Sequence, residues 1–527
     1  PVFIEWNGSV KQGETTRKAS MLCLEYYKWL ESEDSYLSRG KFLDSILKAI
    51  ANGAGEIKNE LAFLIDEICI SIGNGKTSYE YLAKLILKEF DGISIAQALP
   101  NKTLELANAC WLKPQESEEW SRHKESEHMF GVVDDYDFNY HPESALQTPI
   151  FVLLRTDLKA TVDFILNFIN RTTLNLVNYC GEENFKVHEL TIGNKTTRVF
   201  LDQSLWGAYR GVANVPDLIK SILMALEKFF LENATYFKGD NLEAWLKYIL
   251  KNTNSSALCG VVASIVLANK DRLFNVAKIL IEVKDFIQFD TARLVSDSHQ
   301  KGQLEMVAKM TGGIQHDRIY HNERVKACDA EHRKSSLENI CLYYQLFGKQ
   351  GVVDEAEVQR RQSELWNVLD KHYDEIESDR DSESSKLWRM SLARMDRRKM
   401  DIETEVVEDK IAINFNPRLE DDLKYLSDSH QEKQQQDHRF LALSLWARHK
   451  LDNNDDYKKY EQYELHPHQA LSDLRTLFDK LTDEEVPPSE SFFIYNHATH
   501  IYASATLLKY HHGDLDEDGI NFCLNLV

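Results

Sequence analysis

Residues 257–268 read ALCGVVASIVLA. This is the longest apolar run in the chain, about 12 residues against the ~20 that cross a membrane. It reads as a helix buried on all sides within a folded core. The apolar pattern is densest on either side of it, over residues 202–295. Trp206 and Tyr209 come first, and Pro216 takes a first helical position. Leu218, Ile219, Ile222, Leu223, Leu226, Phe229 and Phe230 then recur at helical spacing. Further helices are predicted over about 241–251, 255–269 and 273–287.

Helical periodicity extends outward in both directions. Residues 17–112 read as successive amphipathic helices: Met21, Leu24 and Tyr27, then Phe42, Ile46 and Ile50, then Leu61, Leu64 and Ile68, then Leu82, Leu85 and Phe90. Asn52-Gly53 and Gly73-Asn74-Gly75 punctuate them. Residues 113–146 are polar, acidic and aromatic by turns, an irregular connection. Residues 185–201 break the pattern, with Val187, Leu190, Ile192, Val199 and Leu201 flanking Gly193-Asn194, a hairpin signal. Residues 402–415 (IETEVVEDKIAINF) alternate in part and predict one or two short strands. The expected fold is mainly α, an α-solenoid-like helical array with a small β excursion near 185–201, although no fixed repeat period is present. The blocks are 1–112, an N-terminal helical block; 113–146, the connection; 147–377, the central core; 378–385, a charged linker; and 386–527, a C-terminal helical block.

Composition supports helices. The chain has 10 Pro and 22 Gly in 527 residues, about 2% and 4% against usual values of about 5% and 7%. A net charge of −22, from 62 basic and 84 acidic residues, disfavours nucleic acid as a partner for the body of the chain. The 8 cysteines form no CxxC pair and read as reduced thiols, which points to the cytoplasm. The chain opens on Pro1 rather than Met and ends at Val527 directly after the apolar run 520–527. It therefore reads as a piece of a longer protein.

Several motifs fall short of chemistry. GNGKT (73–77) resembles half a phosphate loop, but Ile70 stands where the leading Gly is required and a helical pattern precedes it. Asp514, Asp516, Asp518 and Gly519 match the first half of a calcium loop, yet Asn525 stands at the bidentate Glu position. The pairs His316/His321, His466/His468, His497/His500 and His511/His512 lack the third and fourth convergent ligands zinc requires. No metal site is assigned. The basic run RMSLARMDRRK (389–399) reads either as an amphipathic helix paired with nearby acids or as an arginine cluster for a partner.

The most distinctive block is WGAYRG (206–211), where Trp, Tyr and Arg meet at a turn. With ALQTPIFVLL (145–154), LWGAYRGVANVPDLIKSILMALEKFFLE (205–232), LKYILKNTNSSALCGVVASIVLANK (246–270), EHRKSSLENI (331–340) and WRMSLARMDRR (388–398), it resembles the helical region of large bacterial STAND-type NTPases of AVAST-like anti-phage systems. The resemblance implies a helical sensor that binds a phage protein and releases oligomerisation. It also implies a role in antiviral defence, with ATP and Mg used by the full-length protein. With no intact Walker A loop, no cofactor is expected in this chain. The expected function is a non-catalytic sensor or scaffold gripping a protein partner, with self-association into an oligomer allowed and no membrane contact. The candidate partner-binding residues are Trp206, Tyr209, Arg210, Arg389, Arg394, Arg397 and Arg398. The alternative is a stand-alone metal- or nucleotide-dependent hydrolase.

Overall fold

The computed structural model describes residues 12–32, 41–73, 79–88, 90–113, 125–133, 138–211, 213–311, 317–346, 354–376, 380, 382–407, 410–482 and 498–527. The fold is mainly α. Two antiparallel two-stranded hairpins are the only sheets among the described residues. The chain divides into two compact units: Pro1–Arg380 with Ser391–Asn416, and Asp381–Met390 with Pro417–Val527.

The first unit is organised around the helix Ser256–Ala268, whose residues from Ser256 to Leu267 are all buried. The Ser255 hydroxyl caps it by accepting from the Ala257 N–H. Its neighbours are the helices Gln203–Gly207, Asp217–Asn233, Asn241–Asn252, Phe274–Ile281 and Leu337–Leu346. A helix apolar on every face is stable in water only when wrapped in this way. Gly260 permits the closest approach, since a Cβ there would lie 2.5 Å from the Trp206 carbonyl oxygen.

N-terminal to this core lie the helices Glu14–Ser32, Lys41–Asn52, Lys58–Gly73, Glu80–Leu87, Ile93–Ala98 and Pro100–Trp111, with Glu14–Ser32 against Lys41–Asn52 and Lys58–Gly73 against Pro100–Trp111. Their buried stripes include Leu24 and Tyr27, then Leu43, Ile46 and Ile50, then Leu61, Leu64 and Ile68. The half-phosphate-loop reading falls largely on residues 74–78, outside the described residues.

The predicted hairpin is present as β1 (Lys186–Ile192) and β2 (Lys195–Leu201), with Ile192 opposite Lys195 across the Gly193-Asn194 turn. Leu190, Ile192, Val199 and Leu201 form its buried face. The Phe200 N–H donates to the Asn254 carbonyl at 2.8 Å, tying the hairpin to the cap of the core helix. The alternating segment at 402–415 forms both strands of a second hairpin, β3 (Met400–Val407) and β4 (Lys410–Pro417).

The second unit is a small helical domain containing Asp421–Leu451, Glu461–Leu465, Pro467–Leu481, Thr499–Tyr510 and Glu517–Leu526. Its core gathers Leu443, Trp446, Ala447, Tyr463, Ala470, Leu474, Ala503, Leu507 and Cys523. All eight cysteines are unpaired, four of them buried. Among the described residues no helix is long and apolar enough to cross a membrane.

Candidate functional site

Three of the candidate partner-binding residues are internal to the first unit. Trp206 and Tyr209 are fully buried and Arg210 is 1% exposed. They cannot anchor a partner in this fold, and the expectation is corrected for all three. Trp206 packs on Phe286 with ring centroids 5.0 Å apart. Arg210 is held inside because a chain of charged partners meets it there.

The Arg210 Nε donates to Asp297 Oδ1 at 2.7 Å, and its Nη2 donates to Gln300 Oε1 at 2.8 Å. Arg293 reaches Asp290 at 3.0 Å and Asp297 at 3.2 Å. It also donates to the carbonyls of Arg333 and Ser335, at 3.0 and 2.6 Å. Arg333 Nη2 meets Glu227 at 2.7 Å, and Ser264 donates to the other Glu227 oxygen. Arg324 Nη2 joins Glu143 at 3.1 Å and the Arg210 carbonyl at 2.7 Å. Four arginines thus face four carboxylates, none more than 12% exposed at the side chain. Removing each charge from water costs several kcal/mol, so such a set is tolerated only when paired and hydrogen-bonded.

The fields are strong. Burial pushes the Glu227 carboxyl up, but Arg333 and Arg210 overcome it and hold the group below the usual carboxylate range. Asp297 behaves likewise, burial being outweighed by Arg210, Arg333 and Arg293. At Asp290 burial wins and the carboxyl is raised despite Arg293. Beside this network, burial and then Arg333 push His332 down to about 4.

At its outer end the network reaches the surface through Glu143. The connection 138–146 contributes His141 and Glu143, and the first turn of the helix Asp217–Asn233 contributes Asp217. One ligand atom from each of the three lies within 4.8 Å of the others. His141 Nδ1 is 3.1 Å from Asp217 Oδ2. Lys220 sits 3.0 Å from the other Asp217 oxygen. Burial raises the Asp217 carboxyl, but the His141 hydrogen bond and Lys220 bring it below its ordinary value. The turn is pinned in place: the Ser144 N–H donates to Ser221 Oγ at 3.2 Å, and Gln147 Nε2 donates to the Pro142 carbonyl at 2.9 Å.

Arginines of the basic run make ion pairs with acids of their own unit. Arg389 is buried in the second unit and pairs with Glu420 and, at 3.0 Å, with Asp422. Within the first unit, Arg394 pairs with Glu338 at 2.7 Å. Arg398 joins Asp370 at 2.6 Å and Asp396 at 2.8 Å and lies 5.4 Å over the Trp366 ring. Arg397 donates to the Gln345 carbonyl at 3.3 Å. The amphipathic, ion-paired reading describes this segment: Arg389 is buried and unavailable to a partner, while Arg394, Arg397 and Arg398 are ion-paired or hydrogen-bonded yet exposed.

The rejected motifs have structural roles. Asp516 caps the last helix by accepting from the Gly519 N–H at 2.8 Å, and Asp518 pairs with Arg475 at 2.6 Å. His316 and His497 lie outside the described residues. Comparison with known protein families and with curated proteins found no match to this chain.

A further surface, outside the candidate residues, lies on the N-terminal block. The helix Glu14–Ser32 buries Ser20, Leu24 and Tyr27. Its opposite face carries Leu22, Tyr26 and Trp29, which are 72%, 37% and 50% exposed, and Phe42 adjoins them at 59%. The Tyr26 ring lies 5.4 Å from Trp29 and 5.8 Å from Phe42, making one aromatic ridge. The spacing 22, 26, 29 is the sequence signal. It marks a second apolar stripe on a helix that already has one.

Proposed function

We propose that this chain is a helical protein-binding scaffold and that the ridge of Leu22, Tyr26, Trp29 and Phe42 is its contact surface. The single observation behind this reading is a two-faced apolar helix with one face bare. Side chains of this size leave on the order of 400 Å² of apolar area in water, the range in which patches on soluble proteins are often functional. Trp and Tyr are also the residue types that dominate interface energetics. Glu25, on the same helix, is 63% exposed and pairs with Lys28 at 3.7 Å, and the chain carries −22 overall. The complementary partner is a protein with an apolar centre and a basic rim. The STAND-type resemblance supplies its class, a phage protein sensed by a defence system. ATP and magnesium chemistry belongs, in this reading, to the longer protein.

A photo-reactive phenylalanine analogue at position 29, expressed in the source cells under phage challenge, tests this. One distinct protein should be captured at position 29 and not at position 236, where Tyr236 is an exposed aromatic outside the ridge. Capture of nothing, of the same proteins from both positions, or only of a second copy of the chain overturns the reading.

A further inference from the structure

We propose that His141, Glu143 and Asp217 form a binding site for one divalent transition-metal ion of the zinc class. Three features of the structure carry this.

The donor set is chemically specific. An imidazole nitrogen and two carboxylate oxygens from two separated segments converge within 4.8 Å, and no other group of this kind occurs among the described residues. A ligand set that includes imidazole favours zinc-like ions over calcium or magnesium, which prefer oxygen alone. Three protein ligands leave a coordination position open, and His141, with its side chain 68% exposed, places it at the solvent boundary.

The geometry is held from behind. Ser221 and Gln147 fix the turn that carries His141 and Glu143. Asp217 is anchored by Lys220 and Glu143 by Arg324, so one oxygen of each carboxylate is oriented by an outer hydrogen bond. Such outer partners accompany metal-ligating groups and set their direction.

Space has been kept for the Glu143 carboxylate. Gly211 has φ +73°, and a Cβ there would lie 2.2 Å from Glu143 Oε1 and 2.5 Å from Arg324 Nη2. The positive φ favours glycine here, and a Cβ would oblige the Glu143 and Arg324 tips to shift. The adjacent Lys220 and Arg324 charges offset the two carboxylates, which makes binding moderate rather than tight.

The test is titration of the metal-stripped full chain with cobalt(II), followed by visible absorption. Wild type should take up one equivalent with the intense bands of four- or five-coordinate cobalt, and zinc should displace it. His141→Ala, at an exposed side chain and checked for folding by its melting curve, should weaken binding at least about 10-fold. His512→Ala, which removes an exposed histidine elsewhere, should leave it unchanged. Glu143→Gln, checked for folding by its melting curve, should lose cobalt as well. Absence of the bands in wild type overturns the proposal. Equal cobalt binding by wild type and His141→Ala also overturns it, because the metal is then held by other histidines.

Discussion

At the scale of single residues, burial decides roles that sequence leaves open. Arg210 reads alike in the chain whether it faces water or not. It is internal because Asp297, 87 residues later, and Gln300 complete its hydrogen bonds. No local signal carries that pairing, and the WGAYRG block therefore looked like an anchor when it is a core element. His332 gives a test with a defined sign. Its folded value of about 4 lies below the unfolded value of 6.5, so the unfolded chain binds the extra proton. Stability contributed by neutral His332 is complete above pH 6.5 and is lost as pH falls toward 4, by about 2 kcal/mol at pH 5. Urea unfolding at pH 7 and pH 5 should show a smaller acid loss in His332→Asn than in wild type, and an unchanged loss would remove His332 from the account. Gly211→Ala, which combines positive φ with a 2.2 Å approach to Glu143, should lower stability by about 1–3 kcal/mol in the same assay.

At the scale of elements, sequence was most informative where one physical pattern dominates. The run at 257–268 is apolar throughout, and it became the helix Ser256–Ala268 with every other core helix of its neighbourhood around it. The first hairpin was visible because alternation with period two and the Gly193-Asn194 turn do not depend on distant partners, whereas 402–415 showed only strand-like alternation and not its pairing. The metal-type cluster was not visible. His141 and Glu143 are two apart, but Asp217 lies 76 residues from His141 and reads only as the start of a helix. The buried charges predict a cycle between elements. Arg333→Met removes the main counter-charge of Glu227, leaving it Arg210 and the Ser264 hydroxyl, and should cost about 3–5 kcal/mol, while Arg333→Met with Glu227→Gln should recover most of it. Additive losses in chemical denaturation would mean the pair is not coupled. In the core helix, Ile265→Ala should cost about 2–5 kcal/mol, since Ile265 is fully buried.

At the scale of the whole molecule, the four arginines and four carboxylates join segments around residues 143, 210, 227, 290–300 and 324–333 into one block. A largely paired interior of this kind fixes which helices meet, with Arg324 Nε and Arg333 Nε and Nη1 the buried donors in it that find no hydrogen-bond partner among the described residues. In the proposed reading, recognition falls to the aromatic ridge, an apolar surface that the packing of the N-terminal helices leaves uncovered. The most direct measurement is the dissociation constant of the protein captured at position 29, compared among wild type, Trp29→Ser and Tyr236→Ser. The account predicts at least about a 30-fold loss for Trp29→Ser, the size of an interface hot spot, and none for Tyr236→Ser. Equal affinity of wild type and Trp29→Ser would contradict it.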